Sequence, residues 1–152
     1  MSPVLIAAMH LVLAVNADTS YANAYRSSLE TGRPLVVLVG AEWCPACRTM
    51  KTQVLPVLEK RGELKRVAFA QVDYDAEGDL ARELTKGGAI PQLLMFEHNG
   101  RDWKVRRLIG MQPVEKVTRF LREGLNADND RTAGDDTDHT SSIASRARSL
   151  PK

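Results

Sequence analysis

The sequence predicts an α/β fold, a mixed central sheet flanked by helices on both faces. Three observations carry that expectation. Helical and strand-like segments alternate through residues 18–126. Leu35 to Val39 is a short, continuous, Val-rich apolar run, the pattern of a strand buried on both faces. His98-Asn99-Gly100-Arg101 separates two strand-like runs as a hairpin turn. The hairpin makes the last two strands antiparallel. The alternation ahead of it predicts parallel pairing through right-handed crossovers.

The elements follow in order. Asp18-Thr19-Ser20 offers N-cap side chains, and Tyr21, Ala24, Tyr25, Ser28 and Leu29 recur at helical spacing. Thr31-Gly32-Arg33-Pro34 ends that helix, with Gly past the last turn and Pro beyond it. The first strand then runs from Leu35 to Val39, and Gly40-Ala41-Glu42-Trp43 leads out of it. A second helix starts near Cys44 with Met50, Val54 and Leu58 on one face, and Pro56 should kink or divide it. Val67 to Tyr74 alternates partly and reads as a strand, and Gly78 to Thr85 reads as a short helix burying Leu80, Ala81 and Leu84. Gly87-Gly88 breaks that helix ahead of the strand Leu93 to Phe96. Trp103 to Ile109 is the fourth strand. Pro113 opens a last helix with Val114, Val117, Phe120, Leu121 and Leu125 as its buried stripe.

Both ends differ from this middle. Residues 1–17 carry no Lys, Arg, Asp or Glu, and Val4 to Val15 is an apolar block interrupted by His10. Val15-Asn16-Ala17 precedes a possible cut before Asp18. The pattern reads as a secretory signal peptide and so predicts an exported, periplasmic or otherwise extracytoplasmic protein. If residues 1–17 are instead a core strand or interfacial anchor, the protein is cytoplasmic. Residues 127–152 hold five Asp, four basic residues and no aromatic, the composition of a disordered polar tail. Arg146, Arg148 and Lys152 could alternatively make it a docking tail.

Composition narrows the function classes. A formal net charge of +2 argues against nucleic acid as partner. No apolar run reaches the roughly 18–20 residues of a spanning helix. The chain has two cysteines, Cys44 and Cys47, where the first strand gives way to a helix. A helix N-terminus carries unpaired N–H groups and partial positive charge, which stabilises a thiolate at Cys44. Pro45 suits the first helical turn because its missing N–H forgoes no bond. The spacing returns Cys47 beside Cys44 after about one turn, where it can resolve a mixed disulfide. A structural zinc site would need four ligands, and these cysteines with His10, His98 and His139 do not supply a recognisable set. No metal and no organic cofactor is expected.

Ala41-Glu42-Trp43-Cys44-Pro45-Ala46-Cys47, Ile90-Pro91 before an apolar strand, and Gly110 before the last helix together resemble the thioredoxin family over residues 20–125. The leading helix, Arg33-Pro34 and Cys47-Arg48-Thr49-Met50 look most like its exported members with a WCxxC site. The resemblance implies a thioredoxin-like fold, Cys44 as attacking thiol and Cys47 as resolving thiol. It also implies a cis peptide at Ile90–Pro91 facing the cysteines, and cis bonds occur almost only before proline. The Ile90 backbone would then be free for strand addition by an extended substrate, beside Pro91. Trp43 is expected as an aromatic wall of that groove. The chain departs from the family at Leu38, where a buried Asp is usual, and near Gln71, where a Lys is usual. Gly40 replaces the usual Trp and should leave open space beside the site. Glu42 either carries the proton of Cys47 through water or solvates the rim.

The expected function is thiol–disulfide exchange with protein thiols and disulfides, by a monomer whose cysteine pair a redox partner recycles. The alternative is a non-enzymatic binding module whose cysteines serve structure or sensing. Other residues have plain roles: His98 sits in a hairpin, Lys104, Arg106 and Arg107 form a solvated strand face, and Met50, Met95 and Met111 pack, with Met111 able to border the groove.

Overall fold

A computed structural model of the chain describes residues 19–98 and 102–126. The signal peptide and polar tail expected at residues 1–17 and 127–152 lie outside the described residues, as do Asn99, Gly100 and Arg101 of the hairpin turn. Helix α1 (Tyr21–Thr31) starts where the Ser20 hydroxyl accepts from the Asn23 amide, and ends at Gly32 in the left-handed region. Strand β1 (Leu35–Gly40) is buried along its whole length, as the unbroken apolar run requires. Helix α2 (Pro45–Thr49) passes through a π-turn (Met50–Val54) into α3 (Leu55–Lys60). The cause is Pro56: it has no N–H to give, and the Leu55 amide reaches back five residues to the Met50 carbonyl. A 3₁₀ turn (Glu63–Arg66), β2 (Ala68–Asp73), α4 (Gly78–Thr85), β3 (Gln92–His98), β4 (Trp103–Ile109) and α5 (residues 114–126) follow.

The sheet order is β2-β1-β3-β4. β1 and β2 are parallel, with Leu38 beside Gln71, and β3 and β4 are antiparallel. β3 also runs antiparallel to β1, with Val39 beside Gln92, where the alternation predicted a parallel neighbour. Alternation alone leaves the direction open, because the connection over residues 74–91 is long enough for a parallel crossover. Lys86 and Gly87, both at positive φ, instead end α4 and turn the chain back toward the cysteine end. β3 enters at the same end as the cysteines and runs the other way.

Two apolar layers sandwich this sheet. Val36, Leu38, Leu93 and Met95 face Met50, Val54 and Leu58 of the second helical stretch and Val117 and Leu121 of α5. Leu35, Val37, Val39 and Leu94 face Ala24 of α1 and Ala81 and Leu84 of α4. Full burial of one such side chain contributes about 1.5–3 kcal/mol, so a charge at Val37 would undo the strand that carries the site. Helix α5 lies so close to β3 that a Cβ on Gly124 would stand 2.4 Å from the Met95 sulfur. Arg106 is not on a solvated face. It lies 2.7 Å from Glu123 and 3.7 Å from the buried Glu97, with its guanidinium 5.0 Å from the Phe120 ring centroid. Strand alternation turns Arg106 under α5, a placement that a run of basic residues conceals. Arg107 turns the other way and reaches the Leu84 carbonyl.

Candidate active site

The site is built where β1 ends. Its last carbonyl, on Gly40, accepts from the Tyr74 amide at 2.8 Å, which joins the ends of β1 and β2. The chain leaves through Ala41, Glu42 and Trp43 and enters α2 at Cys44. Cys44 is the N-cap residue, extended at φ −86° and ψ 111°, and Pro45 occupies the first turn. The Cys44 Sγ accepts from the Cys47 amide at 3.2 Å. The sulfur thus takes the place a cap oxygen would hold, facing the positive end of the helical run. Cys44 and Cys47 are joined in a disulfide with their Cα atoms 5.2 Å apart. Cys44 is 6% exposed and Cys47 1%, so attack from solvent meets Cys44 first.

Ala41, Ala46, Tyr74 and Ile90 pack around the disulfide and make its surroundings apolar. The Ile90–Pro91 peptide is cis, and the Ile90 carbonyl oxygen lies 4.0 Å from the Cys44 Sγ. Pro91 is buried, and its own carbonyl accepts from the Gly110 amide at 2.8 Å. Gly110 adopts φ +80°, a conformation that suits glycine, and turns the chain from β4 toward Met111. The next amide, on Gln112, donates to the Met50 sulfur at 3.4 Å. Three segments distant in sequence therefore converge: the cysteine turn, Ile90-Pro91 and Gly110 to Gln112.

Trp43 stands on the rim, 63% exposed, with its indole N–H donating to the Asp75 carboxylate at 2.8 Å. Asp75 is held in turn, because Asp73 Oδ1 accepts from the amides of Asp75 and Ala76. Ile109 and Met111 are also exposed, so Met111 is a surface residue, whereas Met50 and Met95 are buried. The Glu42 carboxylate is exposed and pairs with the Lys51 ammonium at 2.5 Å. The Glu42 carbonyl accepts from Arg48. This geometry sets the Glu42 side chain against Lys51 on the outside.

Leu38 belongs to the main core with Met50 and Leu93, and Gln71, its neighbour across the strands, is half-buried. The space expected beside Gly40 is closed. A Cβ there would lie 3.1 Å from the Cys47 Cβ and 3.3 Å from its Sγ, so Cys47 itself occupies the gap. Among the described residues no group of three or more His, Cys, Asp or Glu could hold a metal ion, and no helix is long and apolar enough to cross a membrane. Sequence reasoning passed over Tyr74, Asp75 and Gln92. Tyr74 and Asp75 were within reach of it, since Tyr74 ends the predicted second strand and Asp75 follows it.

Comparison with known proteins agrees with this geometry. The family model described as Thioredoxin matches residues 15–123. The "Thiol:disulfide interchange protein DsbD" of Ralstonia nicotianae is 30% identical over 67% of this chain, a stretch that spans only 17% of that protein. A thioredoxin of Alicyclobacillus acidocaldarius is 30% identical over 66% of this chain and 90% of its own length. Among solved structures, a thioredoxin from Thermus thermophilus superposes with a TM-score of 0.60 at 27% identity, covering 69% of this chain and 83% of that one.

Proposed function

The chain belongs to the thioredoxin family, and on that premise we propose that it exchanges disulfides with protein substrates through Cys44-Pro45-Ala46-Cys47. Family membership together with the cysteine pair supports a thiol–disulfide oxidoreductase. The observation that carries the reading is the Cys44 sulfur at the start of a helical run, joined to Cys47 and beside the Ile90 backbone.

The chemistry balances with no other group. In the reduced protein the Cys44 thiolate attacks a client disulfide, and one client sulfur leaves as a thiolate that takes a proton from water. The mixed disulfide is then attacked at the Cys44 sulfur by Cys47, after Cys47 has given its proton to water. The second client sulfur leaves. The client gains two electrons, and the protein becomes the Cys44–Cys47 disulfide. The reverse sequence begins with a client thiolate on Cys44. A separate dithiol or disulfide partner resets the pair.

In this reading Trp43, Ile90 and Pro91 line the client groove. The client pairs as an added strand with Ile90, while Trp43, braced by Asp75, walls one side. Glu42 is the remaining candidate for relaying the Cys47 proton through water, with its pairing to Lys51 favouring the rim role. Export rests on residues 1–17, and cell fractionation with N-terminal sequencing tests it: a chain starting at Asp18 outside the cytoplasm supports export, and an intact Met1 on protein confined to the cytoplasm rejects it.

A Cys47→Ser variant should trap clients as mixed disulfides on Cys44, because the resolving attack is removed. If it captures nothing that the double Cys→Ser variant lacks, the enzymatic reading fails.

A further inference from the structure

We infer that Gln92 is a positioning residue for client binding: its side-chain amide holds the Ala89–Ile90 peptide so that the Ile90 N–H faces the groove. The inference rests on the reading of Ile90 as the strand that clients join. Gln92 is the first residue of β3 and follows Pro91 directly. It is 1% exposed, in an otherwise apolar stretch of sheet. Its Nε2 donates to the Ala89 carbonyl at 3.0 Å and to the Thr85 carbonyl at 3.3 Å. Both partners can only accept, so the chemistry decides which end of the amide is the NH2.

A trans peptide unit is planar, and its C=O and N–H point in opposite directions. The Ala89 carbonyl and the Ile90 N–H belong to one such unit. With Ala89 O turned toward a buried side chain, the Ile90 N–H is turned away from it. That N–H has no hydrogen-bond partner among the described residues. The Ile90 carbonyl lies on the cysteine side, 4.0 Å from the Cys44 Sγ. Antiparallel pairing needs both groups of one residue offered to the incoming strand.

Backbone bonds from the Lys86, Gly87 and Gly88 amides to the Glu83, Arg82 and Thr85 carbonyls close α4 but stop short of Ala89. Lys86 to Ala89 are exposed, and Gly87 adopts φ +67°. Gly88 leaves the amide its space, since a Cβ there would meet Nε2 at 2.9 Å. The other end of the amide, Oε1, is buried without a hydrogen bond among the described residues. Burying an unsatisfied oxygen is unfavourable and offsets part of what the two donated bonds contribute to stability. The donors are what distinguish Gln92, and they point at the loop.

The test compares wild type with Gln92→Met, which keeps the shape and removes the donors. Insulin is the protein disulfide, and hydroxyethyl disulfide is a small one that needs no strand pairing. The loss of one or two hydrogen bonds should raise KM for insulin about five- to tenfold, with kcat within about twofold. The rate with hydroxyethyl disulfide should stay within about twofold of wild type. Gln92→Leu, which likewise carries no donor, should act in the same direction and carries the test if the Met variant does not fold. An equal loss on both substrates in both variants, or an unchanged KM, overturns the inference. A wild type that turns over hydroxyethyl disulfide but not insulin rejects the protein-substrate reading itself, a different result from either.

Discussion

Gly40→Ala tests whether the resolving cysteine has room to move. The added Cβ would lie 3.1 Å from the Cys47 Cβ and 3.3 Å from its Sγ. Unstrained carbon contacts lie near 3.5–4.0 Å, so about half an ångström must be found. The strand cannot readily supply it. Gly40 pairs with Asp73 in the sheet, and its carbonyl holds the Tyr74 amide. Cys47 is tied as well, by its amide to the Cys44 sulfur and by the disulfide. Overpacking of this size costs about 1–3 kcal/mol. Removing a glycine from a strand returns about 0.5–1 kcal/mol. The expected net loss is about 1–2 kcal/mol in the oxidised protein, or roughly 5–10 °C in Tm. The reduced protein should lose less, because a free Cys47 Sγ can rotate away and relieve its 3.3 Å contact, while the Cβ contact stays. The equilibrium with glutathione should therefore shift toward the dithiol, by about 20 mV for each 1 kcal/mol of difference. Thermal unfolding of both redox forms and titration against glutathione measure these quantities. Equal stability of variant and wild type in both forms, with an unchanged glutathione equilibrium, would refute the contact argument.

In the reduced protein, iodoacetamide at mildly acidic pH should label Cys44 before Cys47, since Cys44 is the more exposed and caps the helix; peptide mapping that finds Cys47 labelled first reverses the two roles. Leu38→Asp should destabilise the fold by a few kcal/mol, because a carboxyl would replace a side chain buried against Met50 and Leu93. Burial raises the pKa of such a carboxyl in the folded state, so the loss should be smallest below about pH 4 and grow as pH rises through the folded value. Urea unfolding across that range checks the sign, and single-turnover exchange between pH 6 and 9 on the same variant shows whether a base there speeds attack by Cys47 and release of the client from the mixed disulfide.

Much of the local structure was legible because it depends on near neighbours. Ser20 and Gly32 bound α1 as their cap chemistry requires, and Pro56 interrupts the second helical stretch where its missing N–H would fall. Cys44 and Pro45 start α2 as predicted, and the cis Ile90–Pro91 peptide implied by family resemblance is present. Arg106 was misread because a row of basic residues looks the same whether it faces water or the underside of a helix. Gly40 was misread because its small size says nothing of what stands beside it.

The sequence by itself determined the alternation of helices and strands, the buried β1, and a cysteine pair at a helix start. Each follows from hydrophobic period, cap residues and proline, which act within a turn or two of chain. Only the tertiary structure decided the direction of β3, the contact of Cys47 with Gly40, the brace from Asp75 to Trp43 and the hold of Gln92 on the Ile90 loop. Those depend on which segments meet after the chain has folded back. Trp43 and Asp75 are 32 residues apart and share no local pattern, so their 2.8 Å bond arises only when β1 and β2 end side by side.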